Sequence, residues 1–403
     1  MKKSFLILSV AFAIFAISCS EDPKPADPDD PGTEQPEDPD DPDNPDDPAD
    51  EEVTDLNASN PETANCYIIS KGGRYCFNAT VMGNGNDGLM ESFDTKTTAI
   101  EPTKAVLVWE DTGGLITDVE LVDGKLYFTC GRGDGNAVVA ATDDAGTVLW
   151  SWHIWSSVEP GTVAVNYSYP ADEESEYAGE EGTWEVMDRN LGAFSNDVTD
   201  MENSYGLYYQ WGRKDPFSLF LLDQSLPGCH QVAGSADENN GQNTIEYSIA
   251  NPSTWLIGYQ YGADADQRSW VYSADVEGQY KFNELWGNNC TYGYHETYPQ
   301  KTIYDPCPAG YRIATHLFYM YCKDSGGNWA STPEGDLTIY EGLTIPKAGF
   351  IDYSMGAVTT DTSVWTDSAA WGGNDKSFRV LPGDSNDQTG RGRAFPVRCM
   401  KVK

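Results

Sequence analysis

The stretch GNAVVAATDDAGTVLWSWHIW (135–155) carries two strands and the turn between them. Residues 137–142 are small and β-branched, and residues 148–154 alternate in polarity; Ala145-Gly146 stands between them, where a hairpin turn belongs. In the second run Trp150, Trp152 and Ile154 fall on one face of a strand. Leu149, Ser151, His153 and Trp155 fall on the other. Upstream, short apolar runs recur at 65–70, 75–81, 105–110, 116–121 and 125–130. Lys71-Gly72-Gly73 separates the first two and predicts a hairpin; Asp123-Gly124 separates the last two in the same way.

Seven short strands between residues 53 and 165 predict an immunoglobulin-like β-sandwich. His153 has no His, Cys or carboxylate at metal-ligand spacing, so its expected role is packing. Arg132-Gly133-Asp134 spells an integrin-type tripeptide, yet three residues in a Gly-rich stretch read first as a tight polar turn.

The chain has 403 residues, with 25 Lys+Arg against 64 Asp+Glu and a formal charge of −39. Such a balance repels phosphate backbones and anionic lipid headgroups, so no nucleic-acid partner is expected. Hydrophobic residues make up 39% and aromatic residues 12%, enough for sizeable cores. Gly and Pro favour turns and strands over long helices, and the expected fold class is mainly β.

Lys2 and Lys3 precede an apolar run over 5–17, too short to span a bilayer but suited to a signal-peptide core. It ends in Ala16-Ile17-Ser18-Cys19, which resembles the lipobox of bacterial lipoproteins. That resemblance implies a signal peptide over 1–18, diacylglycerol on the Cys19 thiol and a membrane anchor there. Ser20-Glu21-Asp22 resembles the surface-export signal of Bacteroidota lipoproteins, which implies an outer-membrane protein facing the cell exterior. Residues 20–52 hold 16 acidic residues, nine Pro and one Lys. Such a composition forms no packed core, and 19–52 reads as an extended linker reaching on the order of 100 Å. Its Asp clusters lack EF-hand spacing, so Ca²⁺ binding there is expected to be weak at most. The linker carries −15 and Lys2 and Lys3 add +2, which leaves −26 for residues 53–403.

Four blocks stand out in the second half: TWEVMDRNLGAF (183–194), GLYYQWGRKDPF (206–217), DPCPAGYRIATH (305–316) and AFPVRCMK (394–401). Together they resemble the Fibrobacter succinogenes major paralogous domain, common in Bacteroidota surface lipoproteins. The resemblance covers residues 180–403 and implies an α+β, C-type-lectin-like fold, shared with formylglycine-generating enzymes and their non-catalytic relatives. Two short helices are expected, over 205–211 and 316–323; Leu207, Tyr208 and Trp211 lie at helical spacing in the first and read as core. Arg189, Arg213 and Arg312 sit among apolar residues and are expected in ion pairs, with Asp188 and Asp215 at hand. Residues 218–300, with Trp255, Trp270 and Trp286, read either as an elaborated binding surface or as packed loop.

Without Cys19, eight cysteines remain. Three (Cys66, Cys76, Cys130) fall before residue 165 and five (Cys229, Cys290, Cys307, Cys322, Cys399) after 180. Both counts are odd, so either a bridge joins the two parts or a thiol in each stays free. Cys307 and Cys399 lie in motif blocks and are the favoured bridge. Cys229–Cys290 would staple the 218–300 segment, and Cys76–Cys130 would cross two strands. No Cys/His spacing suggests zinc.

Asp324-Ser325-Gly326-Gly327 resembles a chymotrypsin-like nucleophile turn, but His316, nine residues before Ser325, matches no motif of that family. Formylglycine generation would need paired reactive cysteines, and Cys307 and Cys399 read as structural. No enzyme activity and no resident cofactor are therefore expected. Trp365, Trp371, Asn374 and Asp375 lie where lectin-like folds carry their long ligand loop, which makes them candidates to stack on a sugar and hold its hydroxyls or Ca²⁺; packing in the core competes for the two Trp. Asp384-Ser385-Asn386-Asp387 reads as a polar turn. The chain is thus expected to be a non-enzymatic surface lipoprotein for adhesion or glycan/protein recognition. Alternatives are an accessory or tip subunit of a fimbrial assembly, or an enzyme related to formylglycine-generating proteins.

Overall fold

The computed structural model describes residues 52–58, 60–86, 97–171, 178–218, 230–232, 243–256, 259–260, 268–271, 282–287, 300–323, 329–353, 358–359, 362–369, 376–382 and 387–402. The leader, Cys19 and nearly all of the acidic linker lie outside them. The fold is mainly β.

Eight strands open it: β1 (Val53–Asp55), β2 (Cys66–Ile69), β3 (Gly73–Asn78), β4 (Lys104–Glu110), β5 (Ile116–Val122), β6 (Lys125–Cys130), β7 (Gly135–Thr142) and β8 (Val148–Ser156). They form two four-stranded sheets, ordered β1-β3-β6-β5 and β2-β8-β7-β4. The hairpin read from 135–155 is present: β7 pairs antiparallel with β8, placing Val139 opposite Trp152 and Ala141 opposite Trp150. Small side chains on β7 leave room for the indoles beside them. The β5–β6 turn has φ of +49° at Asp123 and +76° at Gly124. Two left-handed residues joining Val122 to Lys125 fit the right-handed twist of the flanking strands.

The expected hairpin at Lys71-Gly72-Gly73 does not form. β2 pairs in parallel with β8, whereas β3 pairs antiparallel with β6 and parallel with β1. The segment instead carries the chain from one sheet to the other. Tyr67 of β2 and Phe77 of β3 meet through their rings at 4.4 Å, and Phe77 meets Trp152 of β8 at 5.1 Å. Burial of these rings between two sheets outweighs a local ladder of a few hydrogen bonds.

β8 is buried on both faces. Trp152 faces the first sheet. Ser151 and His153 face the other way, where Ser151 meets Asp215 and Asn136, the partner of His153, reaches Gly192. The second sheet is therefore covered on its far side by the segments around 190–193 and 207–217. Residues 51–403 pack as one compact unit, and a continuous apolar core runs from Cys66 to Cys399. The boundary expected between 165 and 180 does not separate two cores. Strand β9 (Thr162–Ser168), assigned largely to the first part by the sequence, pairs with β10 (Glu181–Met187).

That third sheet is ordered from Tyr311–Ile313 through Cys399–Lys401 and β10 to β9, so the C-terminal strand lies inside it. Helix α1 (Glu202–Tyr205) precedes strand β11 (Tyr208–Gln210), which pairs with Ala394–Pro396. The helix expected over 205–211 is thus a correction: Gly206 stops α1, and pairing with a strand far along the chain overrides a local 3.6-residue pattern. Leu207, Tyr208 and Trp211 are nonetheless core. Helices α2 (Ile245–Ala250) and α3 (His316–Tyr321) follow, the latter capped by Thr315 and close to its expected span. Trp255, Trp270 and Trp286 are fully buried, so the described part of 218–300, helix α2 included, packs into the core.

The four sequence blocks meet in space. Leu191 donates to the Val397 carbonyl at 3.0 Å and accepts from the Leu207 amide at 2.9 Å. Asn190 donates to the Tyr205 carbonyl and accepts from buried Arg398. The Cys307–Cys399 bridge, with a Cα–Cα distance of 5.9 Å, ties in the remaining block. Gly206 has φ 75° and ψ −162°, a region open only to glycine, and a Cβ there would lie 2.6 Å from the Leu191 oxygen. Gly206→Ala is expected to cost at least about 2 kcal/mol, read as a lower urea midpoint.

Candidate functional site

Where the two facing sheets end, residues 69–72, 132–134 and 156–158 enclose an open cleft of about 440 Å³. Each segment is a strand end or a connection: β2 leaves through 69–72, β6 turns into β7 through 132–134, and β8 ends at 156. Backbone contacts hold the three together. The Ser157 amide donates to the Ile69 carbonyl at 2.9 Å, and the Ser156 hydroxyl donates to the Gly133 carbonyl at 2.7 Å. Gly72 gives Arg132 its place: a Cβ on Gly72 would lie 2.7 Å from the Arg132 Cγ.

The rim carries charge. Lys71, Arg132 and Asp134 are exposed, and neither cation forms a salt bridge with a carboxylate among the described residues. Ser156 and Ser157 are buried beneath the cleft, and the Ser157 hydroxyl has no hydrogen-bond partner among the described residues. Ile69 and Val158 supply apolar surface, and among the described residues no aromatic ring lines the cleft. The exposed lining is thus mostly apolar beneath a charged rim. The size of the cleft lies within the range of small-molecule pockets.

The sequence singled out other residues. Trp365 is fully buried, donates to the Tyr209 carbonyl at 2.8 Å and packs on Phe395 at 4.6 Å. It is core and cannot stack on a sugar. Trp371, Asn374 and Asp375 lie outside the described residues, as do Cys229, Cys290 and Asp324-Ser325-Gly326-Gly327. Of the 384–387 turn only Asp387 is described, paired with Arg379. Cys76 and Cys130 are free thiols. The register explains why: Cys76 faces Tyr127 and Cys130 faces Gly73, so an odd offset of three residues puts the two side chains on opposite faces of the sheet. Cys66 and Cys322 are also free. Arg132-Gly133-Asp134 is indeed a short turn, and it borders the cleft. In the sequence the site shows only as the Arg132-Gly133-Asp134 turn and as a basic residue followed by Gly at two strand ends; nothing there joins Lys71, Arg132, Ser156 and Ser157.

Lys214, Asp215 and Ser151 form a buried cluster, with one Asp215 carboxylate oxygen 2.7 Å from the Lys214 Nζ and 2.6 Å from the Ser151 Oγ; the other has no hydrogen-bond partner among the described residues. Lys214 also lies 4.5 Å over the Trp150 ring. Arg312 pairs with Asp367 at 2.8 Å, and Arg189 with Asp188 at 2.8 Å, as expected. Arg213 departs from that expectation. Its guanidinium donates to Gln210 and to the carbonyls of Thr254, Asn251 and Pro252. Among the described residues no cluster of three His, Cys, Asp or Glu could hold a metal ion.

His153 is buried against Asn136 at 2.9 Å, and burial pushes its pKa down to about 3. Burial, helped by Lys323, holds His316 down at about 3. Unfolded histidine titrates near 6.5. Below that pH the unfolded chain takes up protons that the folded chain refuses, so stability falls as pH drops from about 6.5 toward 3. Each histidine is expected to cost about 2 kcal/mol between pH 7 and pH 5. Urea midpoints at the two pH values measure it, and His153→Asn should remove about half of that part of the loss.

No family model matches this chain, no curated protein is similar to it, and no solved structure matches it.

Proposed function

We propose that the chain is a non-enzymatic, lipid-anchored protein of the outer surface that recognises a partner molecule through the cleft at the end of its two facing sheets. The observation that carries this reading is the cleft itself. It presents two cations without carboxylate partners on a folded unit whose net charge is −26 by the count above. A charged, solvent-open patch of this kind stabilises nothing internally and fits encounter with a ligand.

The two facing sheets support an immunoglobulin-like sandwich as the presenting scaffold. The convergence of the four blocks around Asn190, Leu191 and Cys399 supports a lectin-like frame of the paralogous-domain type. In this reading the blocks build the frame, and recognition belongs to the loops of the first sheets. Cys19 and the acidic linker would carry the unit away from the membrane.

Two experiments test the proposal. Palmitate labelling should mark the wild-type chain and not Cys19→Ala. Fluorescent full chain should bind intact cells, and Lys71→Gln/Arg132→Gln should bind at least tenfold less with an unchanged melting temperature. Equal binding by the double variant would reject the cleft as the recognition site.

A further inference from the structure

We infer that the cleft takes the carboxylate of an acidic sugar. The inference rests on the recognition reading above and names its ligand class.

Lys71 and Arg132 approach the cleft from two different connections, and neither has a carboxylate to neutralise it among the described residues. Arg132 is the side chain whose planar fork matches a carboxylate with two parallel hydrogen bonds. Its Cγ lies close to Gly72, where a Cβ would stand 2.7 Å away. The Ser156 and Ser157 side chains are buried beneath the cleft, so the direct polar contacts fall to the rim. The Asp134 carboxylate, on the same rim, accepts from sugar hydroxyls.

Charge decides among anions. The folded unit is strongly negative, so a polyanion gains two local contacts and meets repulsion along the rest of its length. A single carboxylate on an otherwise neutral molecule feels mainly the rim, because salt screens charges beyond about 8 Å. The lining decides the remainder of the ligand. Apolar atoms, those of Ile69 and Val158 among them, make up most of its exposed surface, with serine and glycine backbone beside them. That suits a sugar ring, whose C–H face rests on the apolar surface while its hydroxyls meet the polar edge.

The test is an array of uronic-acid-terminated and sialic-acid-terminated glycans, each beside its methyl ester and its neutral counterpart, probed with the full chain. Binding to the free acids, at least tenfold tighter than to the esters, is the expected result, and the two families of acid distinguish the source of the carboxylate. Arg132→Gln and Lys71→Gln should each weaken binding about tenfold. Equal binding to acid and ester, or binding that Arg132→Gln leaves intact, overturns the inference. A blank array alongside cleft-dependent binding to cells would reject the acidic sugar and keep the recognition reading; a blank array with no binding to cells would reject both.

Discussion

Replacing Cys307 and Cys399 by Ser is expected to lower stability by about 4–5 kcal/mol, the largest single effect in the folded unit. The bridge spans 92 residues of sequence. Cutting it frees a long loop in the unfolded chain, and chain entropy then favours unfolding by about that amount. The folded state also loses a clamp at its centre. Cys399 begins the strand Cys399–Lys401, which lies inside the third sheet and pairs with Tyr311–Ile313 on one side and β10 on the other. Lys301 is committed to the same place, donating to the Cys307 and Tyr311 carbonyls at 2.6 Å each. The double Ser variant should therefore show a lower urea midpoint, and reductant should move the wild type to the same value. An unchanged midpoint would mean the bridge is dispensable to the frame.

Asp215→Ala is expected to cost about 3–5 kcal/mol. The carboxylate is buried with Lys214 and Ser151, and its loss leaves an ammonium group without a counter-charge in the core. Desolvation of Lys214 already lowers its pKa, and the attraction of Asp215 opposes that shift. In the variant Lys214 should lose its proton more easily, so the destabilisation should shrink as pH rises. Removing both charges as Lys214→Met/Asp215→Leu should recover much of the loss, because two apolar side chains of similar volume need no partner. Midpoints of the two variants at pH 7 and pH 9 check both statements. The cluster joins β8 to the block 206–217, so a large effect also supports a continuous core across the boundary that the sequence suggested.

The strands before residue 160 were legible because alternation and turn residues act over a few positions. Six of the seven runs fall within two residues of the observed strand ends. Which sheet a strand joins was not legible: alternation says that Tyr67 and Phe77 point inward, not that they point at each other from opposite sheets. The register that parts Cys76 from Cys130 is set by pairing between β3 and β6, which no local pattern encodes. At 205–211 the spacing of Leu207, Tyr208 and Trp211 imitates a helix, while the deciding partner, Ala394–Pro396, lies nearly two hundred residues away. Trp365 looked available because the resemblance puts its stretch in a ligand loop; its burial follows from Tyr209 and Phe395, both distant in sequence. The cleft draws on three separated connections and was hidden for the same reason. Only its turns, Lys71-Gly72 and Arg132-Gly133, were visible one at a time.

The most direct test of the cleft as the recognition site is an amide-exchange footprint of the full chain with and without saturating 3′-sialyllactose, and again with a glucuronate-terminated disaccharide. Slower exchange confined to 69–72, 131–134 and 156–158, lost in Arg132→Gln, is the predicted result. Protection confined to residues beyond 300, with those three segments unchanged, would contradict it.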